Sequence, residues 1–215
     1  MSMREDEYAR QLRKPEGATG VDVARRMNLL NNLLYMHCFQ LLPQKSQHLL
    51  EIGPGNAIAA ASLLEERPEI SYTGIDHAPD MVAEGIAQLD RFGDRASYLQ
   101  GNAELLPFSE AHFDVLLSIN TLFFVNQAEE AVREWVRVLK PGGLICIGLR
   151  SKESMEDLGL HKHGFRLFEP HAICTMLEQN GVSANNTITI REPDREINGL
   201  VKPMHSFICK GQKAE

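Results

Sequence analysis

Two clusters of residues in this chain combine types and spacing that could do ligand chemistry. The first is Glu51-Ile52-Gly53-Pro54-Gly55-Asn56-Ala57, where small residues at 53, 55 and 57 let the backbone turn tightly and let a ligand approach it without meeting a side chain. The second is Asp76, 25 residues after Glu51, in the run from Tyr72 to Met81. A carboxylate at the tip of a strand can accept both hydroxyls of a ribose, a paired geometry that no other common side chain matches. Each cluster also has a plainer reading, the loop as a tight turn and Asp76 as a helix cap or solvated group. Their combination at this spacing favours a nucleoside ligand. A pyrophosphate fits less well, because a dinucleotide fingerprint needs a small residue at position 58, where Ile58 stands, and neither the loop nor the first helical turn carries Arg or Lys. Glu51 and Asp76 would repel a phosphate and suit a positively charged ligand.

Other reactive residues give weaker patterns. His161 and His163 form an H-x-H pair without a carboxylate or cysteine at ligand spacing, so no metal site is expected. Cys38, Cys146, Cys174 and Cys209 are far apart and form no C-x-x-C pair, which argues against a disulfide or zinc framework and for a reducing, cytoplasmic setting. Arg25 and Arg26 suit an anionic acceptor or an exposed helical face, and Phe123 and Phe124 a pocket floor or core packing. His37, Tyr8, Tyr35 and His161 are each conceivable general bases. Nothing in the sequence singles one out, so the catalytic residue is unassigned.

These clusters need elements to hold them. The segment 21–42 carries apolar side chains on a broad helical face and ends at Pro43, which predicts one or two helices ahead of the main domain. From His48 strands alternate with helices: strand HLLEI, helix IAAASLLEE, strand SYTGI, a helix from Pro79 to Phe92, then strands ASYLQ, FDVLLSI and LICIGL. Between the last two, Ala128, Ala131, Val132, Trp135, Val136 and Leu139 recur at helical spacing, and Lys140-Pro141-Gly142-Gly143 stops that helix. A helix from Glu169 to Asn180 ends at Gly181, and strands near 186–191 and 204–209 follow. Such alternation predicts a mostly parallel sheet covered on both faces.

The bulk properties set outer bounds. With 215 residues, 43% of them hydrophobic, one core is expected, and a formal charge of -7 disfavours non-specific attraction to nucleic acid or anionic membrane. The segment 1–14 is polar and charged, unlike a signal peptide, and no window approaches the ~20 apolar residues of a membrane span. The expected partner is a small molecule, with the protein a monomer or homodimer.

LLEIGPGNA, YTGIDHAPDMV, GNAELLPFSEAHFDVLLSINTLFFV and EWVRVLKPGGLICIG, in this order over about Leu49 to Leu149, resemble the motifs of the class I methyltransferase family that includes ubiquinone and menaquinone biosynthesis enzymes. The tail, with GFRLFEPHAICTMLEQNGV and SFICK, is similar to that family's final helix and hairpin. The resemblance implies a Rossmann-like, doubly wound α/β fold. Its sheet would have seven strands, mainly parallel with the last antiparallel, over residues 44–215, behind an N-terminal helical cap at 1–43. It implies S-adenosylmethionine as cofactor, a methyl transfer to a small-molecule O, N, S or C nucleophile, and S-adenosylhomocysteine as product. Glu51, Gly53 and Gly55 would then flank the methionine part, Asp76 the ribose, His77 and Met81 the adenine, Asn102 and Ala103 its amine, and Asn120 the methionine ammonium, with Asn56 a further cofactor-binding residue. Ala57 replaces the family's third glycine, which suits a residue without positive φ, and Asn102 replaces its usual aspartate. The alternatives are a catalytically idle cofactor-binding module and a nicotinamide oxidoreductase.

Overall fold

Residues 3–45 and 47–215 are described by a computed structural model of the chain, the side chain of Asn185 excepted. The chain opens with α1 (Glu5–Arg13) and α2 (Gly17–Gln40). No apolar stripe announces α1, but Glu5, Asp6 and Glu7 in its first turn and Arg10 and Arg13 in its last complement the helix dipole. The first turn of α2 precedes the apolar run, and its Gly17 amide donates to Asp80 Oδ2 at 2.7 Å. Then come β1 (Gln47–Ile52), α3 (Ile58–Glu66), β2 (Ile70–Asp76), α4 (Pro79–Leu89), β3 (Ala96–Gln100) and β4 (Phe113–Ile119). They are followed by α5 (Ala128–Val138), β5 (Leu139–Arg150), α6 (Lys152–Asp157), α7 (Pro170–Glu178), β6 (Val182–Ile197) and β7 (Leu200–Lys213).

Several expected boundaries move, among them the start of the fifth strand, which lies at Leu139 rather than Leu144. The helix predicted to reach Phe92 ends at Leu89 and tightens into a 3₁₀ turn over Asp90–Arg95, in which Gly93 leaves helical geometry at φ 55°. The final hairpin is far longer than 186–191 and 204–209, because Asn198 and Gly199 take φ 52° and 76° and form a two-residue turn whose twist suits long antiparallel strands. That Asn-Gly pair is the sequence signal for the extension. α6 was not expected; the Ser151 hydroxyl caps it, accepting from the Ser154 amide at 3.2 Å.

The seven strands lie in the order β3-β2-β1-β4-β5-β7-β6. β1 to β5 are parallel and the last strand, β7, is antiparallel, as the resemblance implied; it lies between β5 and β6. The chain winds outward from β1 through β2 to β3, then returns to lay β4 on the other side of β1, so the loops diverge where β1 and β4 end. In an open parallel sheet that divergence makes a crevice at the carboxyl ends of the strands. One core face joins Leu50, Ile52, Leu116 and Ile147 to Val132 and Trp135 of α5. The other joins Leu49, Leu117 and Cys146 to Leu63 and Leu64 of α3 and to Leu34, Tyr35 and Cys38 of α2. The C-terminal half of α2 is therefore core.

Trp135 couples core to crevice. Its ring is fully buried and its Nε1–H donates to the Ala103 carbonyl at 2.8 Å, fixing the loop after β3. Trp135→Ala is expected to cost about 3–5 kcal/mol of unfolding free energy and Trp135→Phe about 1–3 kcal/mol, the second from the carbonyl left without its donor. Denaturant titration checks both, and equal losses would remove the hydrogen bond from the account.

Candidate active site

The turn after β1 is built from residues with left-handed backbone. Gly53 has φ +71°, and a Cβ there would lie 2.3 Å from Thr121 Oγ1, so the loop can press against the end of β4 only with glycine. Gly55 has φ +61°, and a Cβ there would meet nothing within 4 Å, because its backbone faces open space. Ala57 departs from expectation. It sits at φ 58°, where an alanine costs about 1–2 kcal/mol, and its fully buried methyl packs into the core beneath α3 as partial compensation.

Asp76, at the end of β2, is 8% exposed. Its Oδ2 accepts from the Gly55 amide at 3.1 Å and its Oδ1 from the Ala78 amide at 2.9 Å. Two of the roughly four acceptor positions of a carboxylate are thus used by backbone, and two stay available to a ligand. Tyr98 braces the same loop from β3. Its hydroxyl donates to the Gly55 carbonyl, and its ring fills a slot beside Gly74 and Gly85, where an added Cβ would approach it within 2.9 Å and 2.6 Å.

Gly53, Gly55, Asn56, Asp76, His77, Met81, Asn102, Ala103 and Asn120 all line one cavity of about 470 Å³ at the strand ends. His77 stays half exposed, its Nδ1 3.5 Å from Asp76 Oδ1, whereas Met81 is buried. Asn102 Oδ1 accepts from the Glu104 amide at 2.9 Å, so the residue that replaces the aspartate shapes its own loop. Asn56 accepts from Asn28 Nδ2 at 3.0 Å and ties the glycine loop to α2. Asn120, at φ 54°, gives its amide to Gly148, accepts from the Arg150 amide at 2.9 Å and donates to Asn31 Oδ1 at 3.1 Å.

Glu51 is the exception, because strand alternation turns it away from the cavity. It is 1% exposed, and its two oxygens accept from the hydroxyls of Tyr35 at 2.8 Å and Tyr72 at 2.7 Å. Burial raises its pKa to about 7, against the opposing effect of the two phenols. It reaches the cavity only through Tyr35, which does line it.

Sequence reasoning missed several walls. α1 and α2 contribute Leu12, Met27 and Asn31, the loop after β4 Thr121, and β5 Arg150. Arg150 follows the strand LICIGL directly, a position at the carboxyl end of a parallel strand that could have flagged it. Phe123 and Phe124 serve both readings offered for them, since Phe123 is core and both rings border the cavity, where Phe124 meets Phe165 at 4.9 Å. Of the conceivable bases, Tyr35 lines this cavity and Tyr8 a smaller neighbour of about 110 Å³. Tyr35 is a poor base, its pKa pushed well above the phenol range by burial and by Glu51.

A carboxyl raised from 4.5 to about 7 holds its proton more tightly in the folded chain than in the unfolded one. Its contribution to stability is whole below pH 4.5 and is lost as pH rises through 7, a decline of about 3 kcal/mol for this group alone. Glu51→Gln is expected to flatten the decline across that window, measured by denaturant unfolding at a series of pH values. A variant with the parent's pH slope would contradict the assignment.

Comparison with known proteins agrees with this geometry. Residues 50–147 match the family model described as a methyltransferase domain. The chain is 31% identical over 109 residues to the ubiquinone/menaquinone biosynthesis C-methyltransferase UbiE of Cereibacter sphaeroides, covering 50% of this chain and 44% of that one. It is 29% identical over 138 residues to ajmaline N-methyltransferase of Rauvolfia serpentina, covering 61% and 47%. The chain thus spans about half the length of the curated relatives it matches. Among solved structures, YcgJ of Bacillus subtilis superposes with a TM-score of 0.71 at 16% identity, over 86% of this chain and 99% of that one. A Thermotoga maritima structure described as a SAM-dependent methyltransferase, possible histamine N-methyltransferase, gives 0.66 at 21% identity, over 90% and 96%. Over residues 50–147 the chain is thus similar to methyltransferase domains, and its sheet order agrees with the fold of these solved structures.

Proposed function

We propose that the protein transfers the methyl group of S-adenosylmethionine to a small-molecule acceptor held in the same cavity. The observation that carries this reading is Asp76, fixed by two backbone amides at the cavity wall with acceptor positions to spare for a ribose diol. The surroundings fit a sulfonium nucleoside. Gly53 and Gly55 leave the loop backbone bare, no Arg or Lys stands in the loop or the first turn of α3, and a cavity of about 470 Å³ falls in the usual range for ligand sites. His77, Met81, Asn102 and Ala103 would border the adenine, while Gly53, Asn120 and Tyr35 would border the methionine portion. When bound, S-adenosylmethionine supplies a methyl group already activated by a positively charged sulfur.

The chain's own contribution is then to orient and to dry. Asp76 fixes the nucleoside, and Phe124, Phe165 and Leu160 present apolar surface that keeps water from the acceptor's approach. Such positioning and desolvation can lower barriers by about 7–11 kcal/mol in well-oriented systems. The segment 1–43 acts as a cap through α1 and the middle of α2, which supply Gln11, Leu12, Met27 and Asn31 to the wall, while Leu34, Tyr35 and Cys38 further along α2 anchor it in the core. No general base is assigned, and none is required for an acceptor that is nucleophilic in its neutral or ionised form. Among the described residues no helix is long and apolar enough to cross a membrane.

Asp76→Ala is expected to weaken S-adenosylhomocysteine binding by about 1.5–3 kcal/mol, or roughly ten- to over a hundred-fold, by calorimetry on protein whose unfolding curve is unchanged. An unaltered dissociation constant would remove Asp76 from the site. Transfer of labelled methyl from S-adenosylmethionine into a metabolite pool tests the activity, and no incorporation by cofactor-binding protein would favour an idle binding module.

A further inference from the structure

The smaller cavity adjoins the main one, and Leu12, Met27, Arg150 and Leu160 line both. It lies on the β5 side, three strand spacings from Asp76 in the sheet order, so roughly 14 Å separates the nucleoside end from Arg150. Arg150 is 4% exposed, pairs with buried Glu192 at 2.7 Å, and keeps an Nε–H with no acceptor among the described residues. Glu192 also accepts from the Ser206 hydroxyl. Arg195, half-buried on the same wall, has a side chain with no hydrogen bond or ion pair among the described residues. Burial first and then the neighbouring Arg150 charge push its pKa down, against the raising effect of Glu192 and Tyr8. The other titratable groups on this wall are Tyr8, His163 and Glu5; Glu5 is almost fully exposed and lies 3.8 Å from His163.

With Glu192 matched to Arg150 and Glu5 out in solvent beside His163, Arg195 is the cation on this wall whose side chain has no partner among the described residues. We propose that this cavity binds the carboxylate of a monoanionic acceptor through Arg195 and Arg150, with the acceptor's apolar or aromatic body lying against Phe124 and Phe165 in the main cavity. The inference rests on the methyltransferase reading and names the substrate class for it. A singly charged carboxylate matches one unpartnered guanidinium better than a doubly charged phosphate ester does. A planar carboxylate also matches the arginine fork.

Calorimetry with 3-phenylpropanoate, its primary amide and phenethyl phosphate, on full-length protein with and without saturating S-adenosylhomocysteine, tests this. The acid is expected to bind at least about ten-fold more tightly than the amide and more tightly than the phosphate. Arg195→Gln, which breaks no hydrogen bond, should abolish the preference for acid over amide, Arg195→Lys should retain part of it, and neither should alter S-adenosylhomocysteine affinity. Equal binding of acid and amide, no binding of the acid at millimolar concentration, or a preference that survives Arg195→Gln would overturn the carboxylate site. Tighter binding of the phosphate ester would overturn the monoanion assignment. Failure of S-adenosylhomocysteine itself to bind the parent protein would instead count against the methyltransferase reading, whatever the acids do.

Discussion

One oxygen of Asp76 holds the amide of Gly55 and the other that of Ala78, so a single carboxylate joins the turn after β1 to the entrance of α4. Both amides belong to segments that the diverging sheet would otherwise leave apart. Hydrogen bonds to a charged acceptor are among the stronger that folding makes. Here they set the floor of the cavity before any ligand is present. Tyr98 secures the same loop from below through the Gly55 carbonyl, and it can do so only because Gly74 and Gly85 leave room for its ring. The open face of Gly55 is thus a product of packing several layers deep.

The far side of the cavity depends on Asn120. Its left-handed backbone and its side chain together join the ends of β4 and β5 to Asn31 of α2. An asparagine tolerates that conformation better than most residues because its short polar side chain can bond locally. α2 is consequently fixed to the sheet in two ways, by apolar burial of Leu34 and Cys38 and by polar ties through Asn28 and Asn31. The first gives adhesion and the second gives register, which is what a helix forming a cavity wall requires.

Two buried carboxylates follow opposite electrostatic rules. Glu51 lies between two phenols with no cation beside it, and desolvation lifts its pKa. Glu192 faces Arg150 at the same degree of burial and takes a hydrogen bond from Ser206 as well. A buried pair of that kind adds little net stability but fixes geometry, since breaking it leaves an isolated charge in low dielectric. The Arg150 pair is the fixed point from which the second cavity is built.

Much of this was legible in the linear sequence. Local signals determine local structure, so the glycine loop, the periodic face of α5 and the runs IAAASLLEE and FDVLLSI placed their elements within a residue or two. The fold class and the gathering of Gly53, Gly55, Asp76 and Asn102 along one cavity followed from motifs whose spacing reflects one strand, one turn and one helix at a time. The tertiary structure decided what depends on distant partners. It turned Glu51 away from the cavity, because its two phenols come from α2 and β2 and the strand's alternation gives it one face only. It gave Ala57 a left-handed backbone, which no residue type announces. It also brought Arg150 and Arg195, separated by the whole C-terminal region, to one cavity wall, since only the pairing of β6 with β7 and β7 with β5 makes them neighbours.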